Sequence, residues 1–214
     1  MTTSTRERII DGALRLFAEK GYAATAVAEI EAAAGLSPGA GGLYRHFRSK
    51  EEVMAAAVRA HAARTTDQID ATMRSLTSAQ LTPLPDRLRH LCKLGLAKMT
   101  EEANLIRVVF RDLDQFPHLV DEFREDLVQP LYEVMITWGG QQPEFADADI
   151  DWPAIAAVLG GAVVNYWLTC TQLGASPGRV TEPRFVAAWA RLALGLLPAR
   201  QASAAAQQVA SPIG

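Results

Sequence analysis

The segment LSPGAGGLYRHFRSK, residues 36–50, decides how the N-terminal part of this chain is interpreted. It holds a glycine-rich turn, a candidate helix start at Ser37-Pro38, the cluster Tyr44-Arg45-His46 and a second helix start at Ser49-Lys50, without an acidic residue. A short element that begins at a helix cap and carries basic and aromatic side chains fits the major groove of DNA. The segment therefore predicts a helix-turn-helix DNA-binding unit.

Helix-start signals divide the first sixty residues. Ser4 and Glu7 have the spacing of a capping box at the start of the first predicted helix, and Thr25 is expected to cap the second. The third is expected to start at Ser37-Pro38, because proline is tolerated at the first helical position. The fourth is expected to start at Ser49 and to run into the low 70s.

Helical periodicity continues at residues 84–99, 106–113, 120–138, 152–173 and 181–196. Pro130 is expected to kink the helix at 120–138. The predicted fold is all-α, with about nine helices. We expect a helix-turn-helix domain over 1–48, a helical ligand-binding and dimerisation domain over 49–198 that begins with the linking fourth helix, and a disordered tail over 199–214.

Charge and composition permit DNA binding only through a local patch. The 214 residues carry 21 lysines and arginines against 24 acidic residues, a net charge of −3. Residues 1–60 hold 8 basic against 7 acidic residues, net +1. Cys92 and Cys170 are expected to be free thiols, and the histidines lack ligand spacing, so no metal or cofactor is predicted.

A membrane-spanning segment is the main competing interpretation of residues 152–178, which are 27 residues without a charge. Asn165, Gln172 and the absence of a flanking lysine and arginine cluster favour a helix packed between other helices instead. The first ten residues lack the apolar core of a signal peptide. A cytoplasmic location is therefore expected.

Residues 6–58 resemble the DNA-binding domain of the tetracycline-repressor (TetR-like) family of bacterial regulators. The resemblance is carried by Ile9-Ile10, Ala13, Leu16-Phe17, Gly21-Tyr22, Thr25, Val27, Ile30, Ala33-Ala34-Gly35-Leu36-Ser37, Leu43-Tyr44, His46-Phe47 and Ser49-Lys50-Glu51. It implies an all-α homodimer whose C-terminal domain binds a small molecule that usually releases operator DNA. We do not expect the chain to be an enzyme.

The resemblance, together with the basic and aromatic cluster Tyr44-Arg45-His46, gives a set of expected DNA contacts. They are Thr25, Ser37, Pro38, Gly39, Ala40, Tyr44, Arg45, His46 and Lys50, with Tyr44 and Lys50 on phosphates. The family commonly has three residues between the Gly-x-Ser turn and the Leu-Tyr pair, whereas five intervene here, at 38–42. Two outcomes stay open: a wider turn that offers backbone N–H groups to phosphate, or a short helix that orders only on DNA.

Apolar faces in the rest of the chain give two further sets of candidates. An effector pocket, expected to take an apolar or aromatic ligand, is predicted from Met99, Leu105, Val109, Leu113, Phe116, Leu131, Met135, Trp138, Tyr166, Trp167 and Cys170. A homodimer interface on the last two helices is predicted from Ala156, Gly160, Gly161, Val164, Trp189, Ala193 and Leu196.

The predicted function is a ligand-responsive regulator of transcription, a repressor released from a pseudo-palindromic operator. The effector is expected to shift the helix at 106–113 against the helix that starts at Ser49. Three alternatives stay open: an activator or co-repressor-dependent regulator, a small-molecule-binding dimer that has lost sequence-specific DNA recognition, and a helical enzyme. The last lacks any recognisable constellation of acid, base and nucleophile in the sequence.

Overall fold

The computed structural model describes the backbone of residues 4–78 and 83–197, and within those ranges the side chains of all but 65–67, 69–78 and 177. The predicted tail, 199–214, lies outside the described residues. The helices are α1 Thr5–Lys20, α2 Val27–Ala33, α3 Lys50–Ser78, α4 Leu84–Glu101, α5 Ala103–Asp112, α6 Pro117–Phe123, α7 Gln129–Gly140, α8 Trp152–Gln172 and α9 Glu182–Leu194. The described ranges contain helices and turns without a strand, so the all-α prediction is confirmed.

Two of the predicted helix caps are confirmed and one is wrong. Ser4 Oγ accepts the N–H of Glu7 at 3.2 Å while the Glu7 carboxylate accepts the N–H of Ser4 at 2.7 Å, and Ser49 Oγ accepts the N–H of Glu52 at 3.0 Å. Thr25 does not cap α2. Its hydroxyl instead donates to the carbonyl of Gly21 at 2.7 Å, and the helix begins one residue later, after Ala26.

The helix predicted over 120–138 is divided. A π-helical turn, Arg124–Val128, separates α6 from α7 and lies directly before Pro130. Proline lacks an N–H and its ring collides with the carbonyl four residues earlier, that of Asp126, so the regular hydrogen-bond ladder is interrupted there. The kink expected at Pro130 is therefore present as a π-helical turn, which changes the hydrogen-bond register between α6 and α7.

The contacts group the chain into two compact units. The first unit comprises residues 1–67 and 102–129, and the second comprises residues 68–101 and 130–214. This grouping differs from the predicted boundary at 48/49 because the start of α3 and all of α5 and α6 fall in the same unit as α1 and α2. The functional domain boundaries stay a prediction.

Each unit has its own apolar core. In the first, α1 packs on α2 and α5, and Gly12 lets α1 approach α2, since a Cβ there would lie 3.1 Å from Ala33 Cβ. Its core includes Ile9, Phe17, Ile30, Leu43, Met54, Leu105 and Leu113. In the second, α4 packs on α8 and α9, with Leu88, Cys92, Trp138, Trp167 and Trp189 buried.

Helix α8 is the long uncharged segment whose composition also fits a membrane-spanning helix. By length and composition alone, it is the one helix among the described residues that could cross a membrane. Only Ala156, Val163 and Trp167 of its 21 residues are buried within the chain. The helix therefore keeps an apolar face that its own chain does not cover.

Candidate DNA interface and effector region

The glycine turn, residues 37–42, lies at the surface between α2 and the short 3-10 helix Leu43–Arg45. Ser37, Pro38, Gly39 and Ala40 are exposed. Gly39 and Gly41 have φ angles of +74° and +73°, in the left-handed region that a right-handed helix cannot contain. The predicted third helix starting at Ser37-Pro38 is therefore wrong, and the wider turn is the conformation present.

The cluster Tyr44-Arg45-His46, which follows the turn, is exposed and is flanked by two buried residues. Leu43 and Phe47 are buried, whereas the Tyr44 side chain between them is 57% exposed. The neighbouring Arg45 and His46 are exposed as well. The guanidinium of Arg6 lies 4.9 Å from the centre of the Phe47 ring. A rigid base with a phenol, a guanidinium and an imidazole on its outer edge can donate several hydrogen bonds to one surface.

Lys50 and Thr25 point into the protein. The Lys50 ammonium donates to the carbonyl oxygens of Tyr22 at 2.7 Å and Thr25 at 2.9 Å, and it lies 4.2 Å from the centre of the Tyr22 ring. Burial lowers the pKa of Lys50, and the charge of Asp112 acts in the opposite direction. Lys50 thus fastens the start of α3 to the loop between α1 and α2. Its phosphate contact, and any contact of the buried Thr25, stay predictions.

The C-terminal end of α5 is joined to the C-terminal end of α1. Arg111 donates to the carbonyl of Ala18 at 3.3 Å, to the carbonyl of Phe17, and to the carboxylate of Asp112 at 3.2 Å. The last carbonyl groups of a helix have no partner within the helix, so a guanidinium there caps it favourably. Sequence patterns did not mark Arg111 or Asp112 as functional.

An apolar cavity lies in the second unit. It is small, about 20 Å³, and partly open to solvent, and it is lined by Leu88, Leu91, Met135, Trp138, Phe145, Trp152, Ile155, Ala156, Leu159, Trp189, Ala193 and Leu196. Within the described residues the buried indole N–H of Trp138 has no hydrogen-bond partner.

The predicted pocket residues are brought together only in part. Met135 and Trp138 line this cavity. Leu105, Val109, Leu113 and Phe116 instead pack in the core of the first unit. The others lie elsewhere in the second unit: Met99, Leu131 and Cys170 are half-buried, Tyr166 stacks on Phe185 at 4.1 Å, and the Trp167 N–H donates to Thr100 at 3.2 Å.

The predicted dimer residues lie in different environments, and the three that are buried inside the protomer are corrected. Ala156, Trp189 and Ala193 are buried inside the protomer, where they line the cavity, and the Trp189 N–H donates to the Leu159 carbonyl at 2.9 Å. Gly160 faces the Tyr132 ring. Gly161, Val164 and Leu196 are half-buried. The large apolar side chains that are exposed on α8 and α9 are Val158 and Leu192, at 67% and 71%.

Metal binding was not predicted from the sequence. Within the part of the chain that the structure describes, no group of three or more histidine, cysteine, aspartate or glutamate side chains is arranged to hold a metal ion. Cys92 and Cys170 are both free, as predicted, although Cys170 is only half-buried.

Comparison with known proteins identifies the class of the N-terminal module. Residues 9–57 match the family model described as "Bacterial regulatory proteins, tetR family". The HTH-type transcriptional regulator YerO of Bacillus subtilis is 50% identical over 52 residues, which are 24% of this chain and 17% of YerO. The repressor AcnR of Corynebacterium glutamicum is 44% identical over 62 residues, 29% of this chain and 32% of AcnR. The chain thus spans less than a third of the length of either relative.

Solved structures share the fold over nearly the whole chain. A TetR-family transcriptional regulator from Mesorhizobium loti has a TM-score of 0.72 at 22% identity, covering 90% of this chain and 96% of its own. AibR, in complex with isovaleryl coenzyme A and operator DNA, has a TM-score of 0.62 at 16% identity, covering 88% and 97%. Residues 9–57 therefore match the tetR family, as the sequence had indicated, and the described chain shares the fold of solved regulators of that kind. Its relatives are transcriptional regulators, which supports the expectation that it is not an enzyme.

Proposed function

We propose that this chain is a ligand-responsive, homodimeric DNA-binding regulator, acting in the cytoplasm as a repressor that a small apolar or aromatic effector releases from a pseudo-palindromic operator. One observation carries the proposal. Within a domain that matches the tetR family model, Tyr44, Arg45 and His46 form an exposed donor-bearing edge on a buried base of Leu43 and Phe47. Such an edge suits the phosphates and base edges of a duplex.

Dimerisation is proposed through the outward faces of α8 and α9. Val158 on α8 and Leu192 on α9 are exposed, and the small residues Ala154, Ala157 and Gly161 lie on or beside the same face of α8. A long apolar helix of which the chain buries only three residues gains most by packing against its symmetry mate. A twofold dimer requires an inverted-repeat operator.

Effector binding is proposed in the second unit, at the small cavity beside Trp138, which must widen to admit a ligand. Helix α5 follows α4 directly in the chain, and its end holds α1 through Arg111. A ligand that shifts α5 would loosen that attachment and move the DNA-contacting edge. A coupling free energy of about 1–3 kcal/mol is enough for a useful switch. AibR, with its acyl coenzyme A and operator DNA, shows a protein of this fold engaging both kinds of partner.

One observation favours a second candidate function. The base-reading helix is replaced by the glycine turn, so the chain could be a small-molecule-binding dimer whose sequence-specific DNA recognition is lost. Co-repressor-dependent and activating regulators differ from a ligand-released repressor in the sign of the coupling and share its architecture.

The test is selection of bound duplexes from a random DNA pool by the purified, ligand-free protein. Enrichment of an inverted repeat supports the dimeric regulator and supplies the operator. Weak, salt-sensitive binding without enrichment, both alone and with candidate effectors added, contradicts it and favours the second candidate. Enrichment that appears only with an effector identifies co-repression.

A further inference from the structure

The carboxylate of Glu31 is the internal support of the glycine turn. Glu31 lies in α2 and its side chain is fully buried, at 0% exposure. One oxygen accepts the N–H of Gly39 at 2.7 Å and the other accepts the N–H of Leu43 at 3.0 Å. The backbone carbonyl of Glu31 also accepts the N–H of Leu36 at 2.8 Å. Glu31 therefore binds the backbone of the turn at three places: Leu36 before its glycines, Gly39 among them and Leu43 after them.

The chemistry of this contact is unusual for a buried acid. Within residues 4–64, 68 and 83–197, no lysine or arginine forms an ion pair with Glu31. A buried carboxylate is costly unless its charge is satisfied, and here backbone N–H groups satisfy it. The turn provides donors at the two positions that the carboxylate can reach, so the acid and the widened turn depend on each other.

We infer that Glu31 is a positioning residue that holds residues 37–42 and the Tyr44 edge in one conformation before DNA arrives. The inference rests on the proposed function for its consequence in DNA binding. A turn with Gly39, Gly41 and Gly42 would otherwise sample many conformations, because glycine has the largest backbone freedom. With Glu31 in place, the turn loses its conformational entropy when the protein folds, so this loss does not weaken DNA binding. The segment therefore does not order only on DNA.

The decisive variant is Glu31→Gln. It keeps the size of the side chain but presents an NH₂ group to one of the two N–H donors, so only one of the bonds survives. Glu31→Asp keeps the charge and shortens the reach, so it should fall between wild type and Glu31→Gln. Glu19→Gln, an exposed acid on α1, makes the same change of charge and is the matched control.

The first measurement is amide hydrogen exchange by NMR in the DNA-free protein. In Glu31→Gln the Gly39 and Leu43 amides should exchange about tenfold faster or more, while the amides of α1 and α5 keep their protection. The second is affinity for the selected operator, which should weaken about tenfold, the effect of losing one charge-assisted bond of about 1.4 kcal/mol. Circular dichroism and sedimentation establish that fold and assembly are retained. If Glu31→Gln does not fold, Glu31→Asp decides by the same measurements.

The outcomes separate this inference from the proposed function. Unchanged exchange at Gly39 and Leu43 overturns the support role of Glu31, whatever the DNA result. Faster exchange with unchanged operator affinity overturns its role in DNA binding. If the wild-type protein selects no operator, the proposed function fails, and so does the role of Glu31 in DNA binding. The exchange rates of Gly39 and Leu43 still decide whether Glu31 holds the turn in the free protein.

Discussion

The carboxylate of Asp112 accepts a hydrogen bond from the backbone N–H of Tyr22 at 3.1 Å, which joins the end of α5 to the loop after α1. The Tyr22 ring in turn packs edge-on against Phe116, with 4.9 Å between ring centres. Tyr22 also carries the carbonyl and the ring that Lys50 contacts. The loop that fixes the start of α3 is therefore fastened to α5. In the proposed switch, a displacement of α5 would move this loop and the start of α3.

Replacing Asp112 by alanine should lower the free energy of unfolding by about 1–3 kcal/mol, because its buried carboxylate accepts the part-buried Tyr22 N–H and a hydrogen bond from the Arg111 guanidinium. Urea unfolding followed by circular dichroism measures the effect. The exposed Asp114, two residues later, is the control, and Asp114→Ala should change little. Equal stability of the two variants would contradict the importance of this contact.

Tyr44 and Lys50 should separate into two kinds of DNA-binding variant. Tyr44→Ala should weaken binding on all sequences and leave the free energy of unfolding unchanged, since the side chain is exposed. Lys50→Ala should also lower the free energy of unfolding, by about 1–2 kcal/mol, because two carbonyl groups lose their donor. If Lys50 also contacts phosphate, the slope of log affinity against log salt falls by about 1. Operator titrations at four salt concentrations measure this, and an unchanged slope would remove Lys50 from the phosphate contacts.

Arginine at Val158 or Leu192 should convert the proposed dimer into a monomer. Both side chains are exposed in the protomer, so the substitution leaves the protomer core intact while placing charge in the proposed interface. Sedimentation velocity at micromolar protein gives the oligomeric state. Phe110→Arg is the control, because Phe110 is equally exposed, at 68%, but lies on α5. A dimer that survives both changes would place the interface elsewhere.

Gly139→Ala should destabilise the protein while Gly140→Ala should be tolerated. A Cβ at Gly139 would overlap the ring of Trp152, whereas one at Gly140 would meet the same ring at an ordinary 3.8 Å. Forcing extra volume into a packed core costs about 1–3 kcal/mol. Thermal unfolding compares the two variants, and a similar melting temperature would mean that Trp152 moves aside freely.

Burial raises the pKa of the Cys92 thiol to about 12. At pH 8 only about one molecule in 10⁴ then carries the reactive thiolate, so iodoacetamide should label Cys170 in the native protein and Cys92 only after unfolding. Peptide mass spectrometry measures both. The unfolded thiol releases its proton near pH 9 while the folded one retains it, so the unfolded state binds fewer protons and stability falls as pH rises above 9. Equal labelling of the two native cysteines would contradict the burial.

The sequence by itself determined the helical class and most helix limits, because those depend on local periodicity and caps. Ser4 with Glu7 is an example, since both hydrogen bonds lie within one helical turn. The family resemblance came from the same N-terminal residues. The glycine excess at 38–42 also marked the place where the usual pattern is broken, although it left a turn and an unformed helix as equal alternatives.

The tertiary structure decided which partner each side chain meets. Glu31 follows Ile30 in an alanine-rich helix, and nothing in that spacing shows that its carboxylate reaches Gly39 and Leu43. Trp189 fits an apolar face that could pack within the protomer or across a dimer, and only its neighbours on α8 place it inside. Periodicity identifies the apolar face of a helix, but the packing of distant segments determines what covers that face. For the same reason the sequence located the edge that is proposed to contact DNA, and the structure showed what holds it.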